Sequence, residues 1–229
     1  MFLRPFLSVR NELDFALRAL LPFGLPVRQP KAIDLRFAAE VTEFLQLFDW
    51  PRLLPTQMTR PRVLDVGSRN FATVLSLQKI FEGAGREASF EGIEIDAYRR
   101  LADFRTRADY GHYYAAQVPR ARFHAMDFLH WTAPADVVFL LNPFVTIHPL
   151  LLWGLPGRHF RPERTFEHAA SLLTPGQGLL VVSSPTEHEF AIASSLCEKN
   201  FRLREKQQWT PGAGAVQGYP RFGAVYQRA

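Results

Sequence analysis

The apolar positions of this chain change their period partway along it. Leu13, Leu17, Leu20 and Leu21 recur at i, i+4, i+7 and i+8. That spacing predicts a core-facing helix with Asn11 as its N-cap and Pro22 and Gly24 as its stop. A second helix is predicted over 32–48, with Phe37, Val41, Phe44, Leu45 and Phe48 on one face and Trp50, Pro51 and Pro55 ending it. From residue 62 the pattern becomes short apolar runs. Strands are expected at 62–67, 89–95, 122–126, 136–141 and 179–183. Helices are expected between them at 70–82, 97–104, 165–173 and 187–199. Continuous apolar runs suit strands covered on both faces, and β-α alternation implies a parallel sheet. Two final strands, 201–209 and 222–227, are joined by the loop 210–220 without a helix, so they should pair antiparallel.

This organisation predicts an α/β chain: a helical cap over 1–60 and a sheet domain over 61–229, with an irregular lid-like insertion at about 144–164. The insertion carries Ile147, Leu150, Leu151, Leu152, Trp153, Leu155 and Phe160. An irregular stretch of that length inside a compact domain often forms a lid or binding loop, and its apolar content implies either an apolar substrate pocket or, by default, packing against the N-terminal helices.

Composition changes this picture little. Hydrophobic residues are 47% of 229 residues, as expected for a packed globular protein. The net charge of +5 is carried by arginine, since only Lys31, Lys79, Lys199 and Lys206 are lysines. The arginines are spread along the chain, which disfavours a nucleic-acid partner. The single Cys197 excludes an intrachain disulfide and any cysteine-based metal site. It points, with an N-terminus interrupted by Arg4, Arg10, Glu12 and Asp14, to a reducing cytoplasmic setting. The apolar stretch 137–155 contains Asn142, Pro143, His148 and Pro149, so no membrane span is expected. No metal site is expected either, because the seven histidines show no ligand spacing.

The chemistry gathers where strands are expected to end. Asp65-Val66-Gly67-Ser68-Arg69-Asn70 forms the first strand-to-helix turn, where a glycine and a helix N-terminus can face a ligand. The second strand ends Glu94-Ile95-Asp96; a carboxylate there can accept both hydroxyl protons of a ribose. Asp96 is also read as the N-cap of the helix expected from Ala97. The third strand leads to Asp127-Phe128 and the fourth to Asn142-Pro143-Phe144. Asp127 can alternatively cap the turn 128–131.

In order and spacing these motifs resemble class I S-adenosylmethionine-dependent methyltransferases, over about 61–229. The resemblance implies a Rossmann-like, seven-stranded, mostly parallel sheet ending in an antiparallel pair. It also implies S-adenosylmethionine as cofactor. Asp65 and Gly67 match the acidic-x-Gly-x-Gly-x-Gly turn, Glu94 the ribose carboxylate and Asp127 the residue that meets the adenine amino group. The resemblance therefore places Asp65, Gly67, Ser68, Arg69, Asn70, Glu94, Ile95, Asp127, Phe128 and Asn142 around the cofactor. The second and third glycines of the turn are replaced by Arg69 and Phe71. Arg69 would either pair with the cofactor carboxylate or crowd the site. Asn142-Pro143-Phe144 resembles half of the Asn-Pro-Pro-aromatic signature of amino-group methyltransferases, and it also reads as a plain strand-ending turn. Asn142 and His148 are the catalytic candidates, with His159 as another histidine in the insertion.

The expected activity is methyl transfer to a small-molecule acceptor. The alternatives are a methyltransferase-like binding or scaffold protein, motivated by Arg69 and Phe71, and a nucleic-acid methyltransferase. A P-loop, a hydrolase elbow and a Tyr-x-x-x-Lys pair are all absent from the sequence.

Overall fold

A computed structural model describes residues 3–20, 24–213, 215–216 and 218–229. Seven strands form one sheet: β1 (Arg62–Val66), β2 (Ser89–Glu94), β3 (Ala121–Ala125), β4 (Val137–Leu141), β5 (Leu179–Ser184), β6 (Phe201–Trp209) and β7 (Arg221–Arg228). Their order is β3-β2-β1-β4-β5-β7-β6. The first five are parallel neighbours, and β7 runs antiparallel to both β5 and β6. The direction of winding reverses between β1 and β4, which opens a crevice at the carboxyl ends of those strands.

Each central strand is buried on both sides because its alternate residues feed two cores. Val63, Val137, Phe139 and Val181 join a cluster with α2 (Ala32–Leu45), α3 (Trp50–Leu53), α4 (Thr73–Gly83) and α5 (Arg107–Ala115). Leu64, Val138, Leu140 and Val182 join the opposite cluster with α7 (Pro162–Leu172) and α8 (Glu187–Cys197). The apolar face of α2 therefore packs into the same core as the sheet. Its Phe44 ring lies against Gly223 of β7, where an added Cβ would meet the ring at 2.3 Å.

Three local expectations are corrected. Helix α1 (Leu3–Leu20) begins eight residues before Asn11, which is therefore not its N-cap. Asn11 is buried and donates both Nδ2 hydrogens, to the carbonyls of Leu151 at 2.9 Å and Leu155 at 3.0 Å. The stripe expected to face the core points outward instead: Leu13, Leu17 and Leu20 are exposed, and the inner face carries Asn11, Phe15 and Arg18. Leu21 and Pro22 lie outside the described residues.

The helix expected over 97–104 is a reversed loop. Leu101 and Arg105 bond through their backbones, Phe104 adopts φ 63°, and the helix starts at α5 instead. Thr106 and Asp109 form a reciprocal capping box that fixes this start. Asp96 is consequently not an N-cap. Its buried carboxylate gathers Arg18, Arg99 and Arg107, and those ion pairs fold the loop back. Finally, the insertion at 144–164 contains a helix, α6 (Ile147–Leu152), followed by a single tight turn at Gly157–His159. Leu150, Leu151 and Leu155 of this segment pack with Phe15 of α1. Among the described residues no helix is long and apolar enough to cross a membrane.

Candidate functional site

A cavity of about 360 Å³ opens at the carboxyl ends of β1, β2 and β4, under α6 and the segment after it. Asp65, Gly67, Ser68, Arg69, Glu94, Ile95, Asp127, Phe128 and Asn142 all line it. Two sequence-derived candidates do not. Asn70 donates its Nδ2 to both carboxylate oxygens of Asp34 in α2, at 3.1 and 3.0 Å, so its side chain serves the α2 junction. His148 is exposed on α6.

The turn after β1 keeps an alternating left-handed backbone without the glycines that would make it easy. Gly67, Arg69 and Phe71 have φ of 70°, 56° and 59°. Each non-glycine residue in that region costs on the order of 1 kcal/mol. Phe71 is compensated by packing: it is fully buried, and its ring lies against Gly92 of β2. Arg69 is compensated at its backbone, where its N–H donates to Glu94 Oε2 at 2.8 Å.

Glu94 is the hub of the turn. Its other oxygen accepts the N–H of Asp96 at 2.8 Å and faces Arg107 at 3.7 Å. Burial raises its pKa, and Arg107 and the two N–H donors oppose that rise. Asp65, below it, is 2% exposed and accepts the hydroxyl of Thr73. Burial pushes Asp65 up to about 7, against the Thr73 hydrogen bond and with help from the Glu94 charge.

At the β3 end, Asp127 caps the turn beyond it by accepting the N–H of Leu129 at 3.0 Å. Its second oxygen pairs with Arg161 at 2.6 Å, and His159 Nδ1 lies 3.8 Å away. His159 keeps a buried Nε2 without a hydrogen-bond partner among the described residues, and burial lowers its pKa. At the β4 end, Asn142 adopts φ 60°, and its Oδ1 is buried and likewise unpartnered among the described residues. Phe37, Phe144, Pro185, Glu189 and Tyr219 also line the cavity. Three strand spacings separate the ends of β3 and β4, roughly 14 Å, so His159 and Asn142 face opposite ends of the cavity.

Sequence reasoning missed Phe37, Trp153, Arg161 and Tyr219 as lining residues. In the sequence Phe37 belongs to an apolar helical stripe and Trp153 to an apolar insertion, and neither has a motif. Among the described residues no cluster of His, Cys, Asp or Glu is suited to a metal ion.

The strand order, the antiparallel β5-β7-β6 part and the position of this cavity define the fold of class I S-adenosylmethionine-dependent methyltransferases. Solved structures agree. A magnesium protoporphyrin IX methyltransferase from Synechocystis PCC 6803, crystallised with bound SAM, superposes with a TM-score of 0.54 at 15% identity, covering 96% of this chain and 95% of that one. A SAM-dependent methyltransferase from Aquifex aeolicus gives 0.52 at 13% identity, with 94% and 99% covered. A putative RNA methyltransferase from Pyrococcus horikoshii gives 0.54 at 10% identity, with 96% of each chain covered. No family model matches the sequence, and no curated protein does.

Proposed function

We propose that this protein binds S-adenosylmethionine and transfers its methyl group to a small-molecule acceptor. The observation that carries this reading is the turn Gly67–Phe71. It holds three left-handed residues and hands a backbone N–H to Glu94, although only one of the three is glycine. That arrangement brings the turn backbone and the Glu94 carboxylate together on the cavity wall, where a ribose-bearing cofactor would be held.

The residues lining the cavity fit the cofactor. Glu94 would hold the ribose hydroxyls, and the Gly67–Arg69 turn would hold the amino-acid end. Asp127 and Phe128 would meet the adenine, with His159 beside them in the cavity wall. When bound, S-adenosylmethionine supplies a methyl group already activated on a sulfonium. The protein's own task is then alignment and exclusion of water. Trp153, Leu150 and Leu155 close the cavity from above. Asn142 lines the cavity and has an unpartnered side-chain oxygen among the described residues; a modest side-chain rotation would let that oxygen accept a hydrogen bond from an N–H or O–H of the acceptor. A cavity of about 360 Å³ with a mostly apolar lining, Phe37, Phe144, Pro185 and Tyr219 among it, suits a small acceptor better than a nucleic acid.

Calorimetric titration with S-adenosylmethionine and S-adenosylhomocysteine tests the reading. Micromolar binding, roughly −8 kcal/mol, is expected. Absence of binding at millimolar ligand would overturn it. Binding without methyl transfer to any acceptor tried, including RNA, would favour the scaffold alternative.

A further inference from the structure

Guanidinium groups and aromatic rings alternate across the carboxyl edge of the sheet. Arg107 of α5 lies 4.6 Å from the ring of Trp153, and Arg69 lies 5.2 Å from the same ring. Arg69 is also 5.1 Å from Phe37 of α2. Phe37 in turn lies 5.7 Å from Arg221 of β7, and Arg221 is 5.8 Å from Phe44. The row stitches α5, α6, the β1–α4 turn, α2 and β7 together.

Its members differ in how their charge is met. Arg107 faces Glu94 at 3.7 Å and Asp96 at 3.5 Å. Arg99, 5.8 Å from Trp153, donates to Asp96 and to the Trp153 carbonyl. Arg69 is the exception. Among the described residues its guanidinium makes no hydrogen bond or ion pair, and two rings alone hold it. It lines the cavity and stands on a left-handed backbone where glycine would be cheaper.

A cation fixed between apolar rings is poorly hydrated and binds an anion more strongly than it would in water. The planar fork of arginine matches a carboxylate. A phosphate dianion would want more donors, and the charges of the neighbouring Arg99 and Arg107 are already faced by Asp96 and Glu94. We propose that Arg69 is the receptor for a ligand carboxylate and a specificity-determining residue of this site. The inference rests on the cofactor reading above, and the carboxylate belongs either to the amino-acid end of the cofactor or to the acceptor.

Wild type, Arg69→Met and Arg69→Lys are to be titrated with S-adenosylhomocysteine and with its decarboxylated analogue, which keeps the amine. Wild type should prefer the carboxylate-bearing ligand by roughly 10- to 100-fold. Arg69→Met should abolish that preference while keeping its affinity for the analogue, and Arg69→Lys should keep part of the preference. A second arm titrates benzoate into ligand-free and S-adenosylhomocysteine-saturated protein. Arg69-dependent benzoate binding, with no preference between the adenosyl ligands, places the carboxylate on the acceptor and also supports the proposal. Thermal midpoints show whether each variant is folded, and Arg69→Lys carries the test if Arg69→Met is not. An unchanged ligand ratio together with unchanged benzoate affinity overturns the role of Arg69. Failure of both adenosyl ligands to bind wild type overturns the cofactor reading instead, and benzoate on ligand-free protein still decides Arg69.

Discussion

The ring of Phe71 occupies the space where a side chain at Gly92 would begin: a Cβ built there would meet the ring at 2.5 Å. One residue stands in the glycine turn and the other in β2, so the close approach locks that turn to the sheet. A methyl group at position 92 must displace a fully buried ring. Gly92→Ala should therefore cost about 1–3 kcal/mol in urea denaturation. Combining it with Phe71→Leu should cost less than the sum of the two changes. An unshifted midpoint for Gly92→Ala would show that the ring gives way freely.

Asp65 should make stability fall with rising pH. Its folded pKa, about 7, lies above its ordinary value of 3.8, so folding favours the protonated carboxyl. That contribution is whole below 3.8 and is lost as pH rises through about 7. Asp65→Asn keeps an acceptor for Thr73 and removes the titration. The stability of wild type relative to this variant should drop by up to about 4 kcal/mol across that window. Taking the difference cancels groups common to both proteins, including His159. A flat difference from acid to neutral pH would contradict the burial of an ionisable Asp65.

Helix α1 offers a contrast between a polar residue inside and an apolar one outside. Asn11→Ala strands the carbonyls of Leu151 and Leu155 and should cost about 1–3 kcal/mol. Leu13→Gln, on the exposed face, should stay within about 0.5 kcal/mol of wild type. Thermal denaturation of the two variants would expose an inverted helix face if the order were reversed.

Glu94, which lines the cavity, and Asn70, which does not, give a paired test of the proposed binding surface. Glu94→Gln should weaken S-adenosylhomocysteine binding about tenfold or more, because it replaces a charged acceptor in the cavity wall. Asn70→Ala should leave that affinity nearly unchanged and lower stability by about 1 kcal/mol through the lost bonds to Asp34. Equal losses of affinity in the two variants would return Asn70 to the binding surface.

The strands, their parallel order and the antiparallel finish were legible because each rests on local pattern: apolar runs of strand length, helices between them and a helix-free final loop. The start of α5 was legible too, in Thr106 and Asp109, but a weaker apolar pattern at 97–104 drew the expectation away from it. The direction of α1 was not legible. Its apolar stripe obeys helical spacing, but which face turns inward depends on the Leu151 and Leu155 carbonyls, 140 and 144 residues away.

The candidate site divides in the same way. Asp65, Gly67, Glu94, Asp127 and Asn142 follow from the sequence because a parallel strand delivers its next residue to the carboxyl edge of the sheet, so position along the chain becomes position in the cavity. Arg69 was visible as a departure from glycine, but its surroundings were not. Only the folded chain brings Phe37 and Trp153 to either side of it, and only there do Glu94 and Asp96 pair with its neighbours rather than with it. Side-chain type and spacing are local properties written in the sequence. Which charges meet which partners is decided by contacts between residues far apart in the chain, and those exist only once the sheet and its helices have packed.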